Sequence, residues 1–276
     1  MSRSHRREWA VGKRGAVFAT EDGGADWHPQ RMSDQPSWRH TATLLRDGRV
    51  LFTGGTRVRG DVSTRLYDPH SNTWRETGSL HVRRLDATAT LLDDGRVLLA
   101  GGWYFKEGRP AAYLSFAEVY DPAVGVWQPT GPMIMGRAHH TATLLADGTV
   151  LVVGGGAFTS YCPCGTSSYS ELFDPATGGW NLSSPMTVPR VNHSATLLRT
   201  GAVLITGGSD AAGHPVEAAE MFMPALQSPS PTASAPVLFA VVGSAVVTAA
   251  AAGLALATIV VRRQRRLSMA RMPRPV

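Results

Sequence analysis

The sequence predicts an all-β fold made of repeated four-stranded antiparallel sheets, and three observations carry that prediction. Four segments align without gaps: HTATLLRDGRVLFTGG (40–55), ATATLLDDGRVLLAGG (87–102), HTATLLADGTVLVVGG (140–155) and HSATLLRTGAVLITGG (193–208). Each is followed by an aromatic-rich second half: TRLYDPHSNTW (64–74), AEVYDPAVGVW (117–127), ELFDPATGGW (171–180) and a weaker AAEMFMP (218–224). The composition agrees, because 29 Gly and 18 Pro with only 17% charged residues favour short elements and tight turns. Repeat starts 47, 53 and 53 residues apart call for a propeller or a solenoid.

Each repeat reads as four strands. The runs HTATLL and RVLLAGG are rich in strand formers and are joined by Asp-Gly, whose preference for positive φ suits a primed hairpin turn. The second strand is apolar on both faces, as expected between two neighbouring sheets, and ends in Gly-Gly, where backbone can bend or approach closely. The third carries Tyr67, Tyr120 or Phe173, is broken by Asp-Pro, and gives way to a fourth at Trp74, Trp127 or Trp180. One such sheet cannot bury both faces, so the copies must stack. A fully buried Trp, with about 150–250 Å² of surface, contributes on the order of 4–6 kcal/mol to that stacking.

These residues resemble the Kelch repeat: the double glycines Gly54–Gly55, Gly101–Gly102, Gly154–Gly155 and Gly207–Gly208, the aromatic of the third strand, and the Trp seven residues after it. The resemblance covers about 40–224. It implies a β-propeller of four-stranded blades, similar also to the central domain of galactose oxidase, and a domain that binds partners without catalysis. Ahead of the first copy, Thr20, Asp22, Gly24 and Trp27 match an Asp-box hairpin. Trp27 precedes His40 by 13 residues, the interval seen from Trp74 to Ala87, Trp127 to His140 and Trp180 to His193. Residues 26–31 are therefore read as a fourth-type strand. Because the last repeat lacks a Trp at the expected place, 26–31 is expected to pair with the strand around 217–222 and close a ring of four blades, leaving no open sheet edge.

Five segments follow: a polar start (1–15), the propeller (16–224), a Pro/Ser linker (225–236), an apolar run (237–261) and a basic tail (262–276). The run Val237–Val261 holds no charge in 25 residues, enough for a membrane-spanning helix. Within it Ala245, Ala249, Gly253 and Ala257 recur every four residues, a spacing that lets two helices pack closely. RRQRR (262–266) abuts it, which puts the C-terminus in the cytoplasm and the propeller outside. Residues 1–15 hold no apolar core of the kind a signal sequence needs, so either the start lies upstream or a tail-anchored domain faces the cytosol.

Net charge does not point to nucleic acid. Six of the 27 basic residues are the Arg of the last fifteen positions, leaving 21 to face the 21 acidic residues of the globular part. Cys162 and Cys164 are too few for a structural zinc site and read as a local disulfide or two idle thiols.

The search for chemistry yields two sets. His40, His140 and His193 stand at equivalent starts of the first strand, a metal-binding arrangement only if the ring brings them together; otherwise each serves its own blade. Arg84, Arg137 and Arg190 lie three residues earlier and either bridge blades through carbonyls and carboxylates or meet an anionic ligand. Neither a galactose-oxidase-like ligand set nor a sialidase-like Arg, Tyr and acid set can be assigned, and no GxSxG, HExxH or phosphate loop occurs. The expected function is a membrane-anchored binding module for a protein or carbohydrate ligand, with no cofactor. The rivals are an extracytoplasmic oxidase or hydrolase and a cytosolic-facing scaffold. The loops after the second strand (56–63, 103–115, 156–169, 209–216) vary while the strands repeat, as recognition surfaces do.

Overall fold

The computed structural model describes residues 39–55, 62–104, 112–156 and 165–224 with their side chains, and the backbone of four further strands. Among the described residues every element is a strand. A three-stranded sheet comes first, from β1 (Glu8–Val11), β2 (Val17–Thr20) and β3 (His28–Gln30). Repeat 1 forms β4 (His40–Leu44), β5 (Val50–Gly54), β6 (Thr64–Asp68) and β7 (Thr73–Thr77). Repeat 2 forms β8 (Thr88–Leu91), β9 (Val97–Ala100), a short hairpin of β10 (Trp103–Tyr104) and β11 (Ala112–Tyr113), then β12 (Ala117–Asp121) and β13 (Val126–Pro129). Repeat 3 gives β14 (Thr141–Leu144), β15 (Val150–Val153), β16 (Ser170–Asp174) and β17 (Gly179–Ser183). Repeat 4 gives β18 (Ser194–Leu197), β19 (Val203–Thr206), β20 (Ala219–Met223) and β21 (Leu238–Val242). Each repeat is thus an antiparallel four-stranded sheet, with strands in chain order apart from the added hairpin.

The hairpin turns differ from the primed type expected. Only the glycine is left-handed (Gly48, Gly95, Gly148 and Gly201), while the residue before it folds back through its side chain. Asp47, Asp94 and Asp147 each accept the N–H two residues on, at 2.9–3.0 Å, and Thr200 does so at 3.4 Å. A side chain that mimics a backbone turn makes a three-residue loop cheaper than two left-handed residues in a row.

The sheets pack face to face in sequence order. Leu51, Leu66 and Leu80 of repeat 1 meet Val97, Leu99, Tyr120 and Trp127 of repeat 2. Leu98, Ala100 and Val119 meet Val150, Val152 and Phe173, and Leu151, Val153 and Met186 meet Val203, Ile205 and Phe222. The both-faces apolarity of the second strand is thereby used, since alternate residues serve alternate neighbours. Tyr67–Trp74, Tyr120–Trp127 and Phe173–Trp180 stack across adjacent strands with ring centroids 4.9, 5.1 and 5.0 Å apart. Trp127 donates from Nε1 to the Thr64 hydroxyl of repeat 1 at 3.2 Å, and Trp180 to the Thr130 hydroxyl of repeat 2 at 3.3 Å. The outer strand of one sheet is in this way tied to the sheet before it.

The expected closure by the N-terminal strand does not occur. β3 pairs with β2, and the edge of β20 is taken by β21, with Phe222 opposite Phe239. Both pairings close a short loop, whereas joining β3 to β20 means ordering ends nearly two hundred residues apart. The start of the apolar run 237–261 is therefore a strand and not a helix. Residues 243–261, the basic tail, Trp27, Cys162 and Cys164 lie outside the described residues, among which no helix is long and apolar enough to cross a membrane.

Trp127, only 2% exposed, should cost about 3–5 kcal/mol of unfolding free energy when replaced by Ala, measured by chemical denaturation. Trp74→Ala should cost less, because that ring is only partly buried.

Candidate functional site

The glycine pairs, the three arginines and the histidines prove to be parts of one repeated joint between sheets. In repeat 2 the Arg84 guanidinium donates to the carbonyls of Gly101 and Phe116 at 3.1 and 2.8 Å, and to Glu118 Oε1 at 2.6 Å. Arg137 serves Gly154, Tyr169 and Glu171 in the same way, and Arg190 serves Gly207, Ala218 and Glu220. All six charged side chains are 0% exposed. Burial pulls Arg84 down to about 10, still charged at neutral pH, with Glu118 opposing that shift. The other carboxylate oxygens accept backbone N–H groups from His81, Ile134 and Thr187. These guanidiniums are committed within their own sheets and offer no surface to an external anion.

What crosses to the neighbouring sheet is the arginine's backbone carbonyl. Gly55, Gly102 and Gly155 donate their N–H to the carbonyls of Arg84, Arg137 and Arg190 at 3.1, 2.8 and 3.0 Å. A Cβ on the preceding glycines, Gly54, Gly101 and Gly154, would stand 2.9, 2.5 and 2.7 Å from those same oxygens, which explains the first glycine of each pair. The second is required within the sheet, for a Cβ on Gly102 or Gly155 would lie 2.7 Å from the opposite carbonyl of Leu85 or Ala138.

The histidines reinforce the joint. His140 Nε2 lies 2.9 Å from the Thr88 hydroxyl of repeat 2, and His193 Nε2 lies 2.9 Å from the Thr141 hydroxyl of repeat 3. Both rings are buried, and neither Nδ1 has a partner among the described residues. A hydroxyl beside an imidazole is also the start of a nucleophile–base pair, but among the described residues no carboxylate is hydrogen-bonded to either ring, and both rings are buried. Among the described residues no three His, Cys, Asp or Glu side chains come together as a metal site, so His40, His140 and His193 are not gathered on one ion. Ala87 breaks the series, and the Thr41 hydroxyl facing that position is buried without a partner.

One residue before each of these positions the chain turns left-handed. Arg39, Asp86, His139 and Asn192 have φ of 61, 51, 57 and 55°, and the pairing register sets each opposite the second glycine of its repeat. Four equivalent non-glycine residues in this region, each strained by about 1–3 kcal/mol, mark a candidate site. They form a row at the end of the sheets where the variable loops begin. Asp86 N–H donates to the Arg39 carbonyl at 3.2 Å, and Asn192 N–H to the His139 carbonyl at 3.0 Å. Asp86 Oδ2 accepts from Arg39 Nη1 and Trp103 Nε1, both at 2.7 Å, and lies 3.7 Å from His139 Nε2. The Arg39 guanidinium sits 5.4 Å from the centre of the Trp103 ring, a cation–π contact. Tyr113 pairs with Trp103 across the β10–β11 hairpin, and burial followed by the Asp86 charge pushes its hydroxyl pKa up. The side chains of Arg39 and His139 are 49% and 29% exposed, while Asp86 at 18% holds them from below.

Sequence reading singled out the residues on either side of this row and missed the row itself. A signal was present: the position is polar in every copy, and Asp and Asn are residues that tolerate a left-handed backbone. The partners of the arginines were missed as well, although Glu118, Glu171 and Glu220 each stand two residues before the third-strand aromatic. In repeat 1 both members change together, to Ser37 and Arg65.

No protein-family model matches the chain, and no curated protein matches it. The fold is similar to that of the solved structure of YjhT, with a TM-score of 0.51 over 75% of this chain and 88% of that one, at 13% sequence identity. This is an all-β fold consistent with a β-propeller. At that identity the likeness concerns the fold alone.

The buried imidazoles predict a pH dependence. Burial, and then the neighbouring Arg137, holds His140 well below its usual value, and burial, then Arg190, lowers His193 to about 4. Between the unfolded value of 6.5 and about 4 the unfolded chain binds protons that the folded chain refuses. Stability should therefore fall as the pH drops through that window. Denaturation midpoints measured from pH 7 to pH 4 should show a shallower decline for His193→Gln than for the parent.

Proposed function

We propose that this chain is a membrane-anchored binding module, a propeller of Kelch-like blades whose ligand mouth is the row Arg39, Asp86, His139 and Asn192, flanked by Trp103 and Tyr113. The observation that carries this reading is the row itself: four strained residues at one structural position, each presenting a different polar group, with Trp103 bonded to Asp86 and lying under Arg39. A scaffold that needed only stability would place Gly there, since Gly adopts this backbone without strain. The exposed donors of Arg39, His139 and Asn192 suit an oxygen-rich surface, and the indole suits an apolar face beside it. Those are features of carbohydrate and of polar protein ligands alike. The site works by recognition and not by catalysis. Its acidic member is already engaged by two strong donors and is not free to act as a base.

Membrane attachment is proposed from the sequence of 243–261, nineteen uncharged residues that as a helix at 1.5 Å per residue reach about 28 Å and are followed directly by RRQRR. This orientation puts the propeller outside the cell and the tail inside.

The experiment is a screen of the full chain in detergent against glycans and cell-surface proteins, repeated with an Arg39→Ala, Asn192→Ala variant. Binding should weaken about tenfold or more, since recognition concentrates in a few groups, with the melting temperature unchanged because the Arg39–Asp86 pair is partly exposed. A ligand whose affinity ignores both substitutions would place recognition elsewhere. Protease added to intact cells should remove the propeller and leave the C-terminal tail protected.

A further inference from the structure

The joint between repeats 1 and 2 differs from the two that follow it at three positions that face one another. In the second and third joints an imidazole fills the space beside the first glycine. His140 Cε1 and His193 Cε1 stand 2.8 Å from where a Cβ on Gly101 or Gly154 would lie, with the ends of Met133 and Met186 at 3.3 and 2.9 Å. In the first joint the counterparts of these residues are Ala87 and Leu80. The three nearest neighbours of a Cβ on Gly54 all belong to Arg84, and the side-chain atom among them, Cγ, is 4.0 Å away. The sheets have not closed up to compensate. The Gly55 N–H is still 3.1 Å from the Arg84 carbonyl, against 2.8 and 3.0 Å in the other joints. Two shorter side chains on an unmoved backbone leave room for a five-membered ring.

The wall of that space is polar where its counterparts are apolar. Thr53 takes the place of Ala100 and Val153, and the pairing register sets it opposite Thr41 on the same face of the sheet. That face looks toward repeat 2, because Leu51, two residues before Thr53, packs there against Val97 and Leu99. Thr53 is 2% exposed, and the hydroxyls of Thr41 and Thr53 are both buried with no partner among the described residues. Two unbonded hydroxyls side by side in an interior are costly, and they mark a place where something else completes them. The joints are complementary in this respect. His140 and His193 each bring two ring nitrogens to one hydroxyl, and their Nδ1 is left over. The first joint has two hydroxyls and no ring.

We propose that the first joint binds an imidazole-type ligand, a planar ring with two nitrogens, between Thr41, Thr53, Gly54 and Ala87. One nitrogen takes the part of His140 Nε2 and bonds the Thr41 hydroxyl, and the other bonds Thr53. The ring enters uncharged, since the Arg84 guanidinium on the same joint disfavours a second cation. Thr41 and Ala87 are only half-buried, so the space is reached from the β4 and β8 edges of the two sheets. It lies one residue from Asp86 but uses none of the row's side chains, and it does not depend on the row being a ligand mouth.

The test is a titration of the full chain in detergent with imidazole at about pH 8, where the free ring is largely uncharged. The melting temperature should rise saturably, with a millimolar midpoint in keeping with so small a ligand. Ala87→His supplies the ring from within, as His140 and His193 do, and should abolish the response. Thr53→Val, the residue that repeat 3 carries at this place, should keep the fold and weaken binding about fivefold through the lost hydrogen bond. N-acetylhistidine amide separates the two sources of such a ring. Binding tighter than that of imidazole assigns the site to a partner's histidine, and binding no tighter assigns it to a small molecule. A parent without a saturable response would overturn the proposal, since water alone then completes the hydroxyls. A response that either substitution leaves unchanged would overturn it as well, because the ring then binds elsewhere.

Discussion

Everything in this molecule depends on how closely an arginine carbonyl approaches the end of the neighbouring sheet. The approach leaves no room for a Cβ, so the second strand must end in glycine, and it holds only if the carbonyl is fixed in place. The arginine side chain fixes it, reaching across its own sheet to two carbonyls and a buried carboxylate. A buried ion pair of this kind adds little net stability compared with apolar packing, yet removing one partner costs about 3–5 kcal/mol because the other charge is stranded. Its value here is geometric. The apolar faces of β5, β9, β15 and β19 drive stacking without direction, and the joint decides the register in which they stack.

The candidate site is a by-product of the same device. Between the arginine and the first strand the chain must turn from the joint back along its own sheet, and it does so through one left-handed residue opposite the second glycine. That corner faces away from the packed interfaces and toward the variable loops. Its side chain is free to differ from copy to copy, as Arg39, Asp86, His139 and Asn192 do, while the strands cannot. The scaffold thus converts an internal requirement into a row of individually chosen polar groups, with Trp103 and Tyr113 added by the β10–β11 hairpin of repeat 2.

Repetition made most of the fold legible. Strand order, the two-faced second strand, the Asp-Pro turns and the aromatic pairs such as Tyr120–Trp127 all follow from four aligned copies, because each copy solves the same packing problem. The site was less legible for an equally physical reason: alignment draws attention to what is constant, and the row is the position that varies. The buried pairs lie between these cases. Arg84 and Glu118 are 34 residues apart, and only the joint loss of both in repeat 1 ties them together in sequence. The ends were misread because the competing partner for β20 lay inside an apolar run long enough for a membrane helix, and hydropathy does not distinguish the strand Leu238–Val242 from the residues after it.

Amide hydrogen exchange at the second glycines tests the account most directly. The joints place the N–H groups of Gly55, Gly102 and Gly155 in inter-sheet hydrogen bonds and, among the described residues, leave Gly208 without one, so the first three should exchange slowly, near the rate set by global unfolding, and Gly208 quickly. Four equally protected amides would mean that a fourth joint is closed within the chain, and fast exchange at Gly102 or Gly155 would mean that the arginine carbonyls do not hold the sheets together.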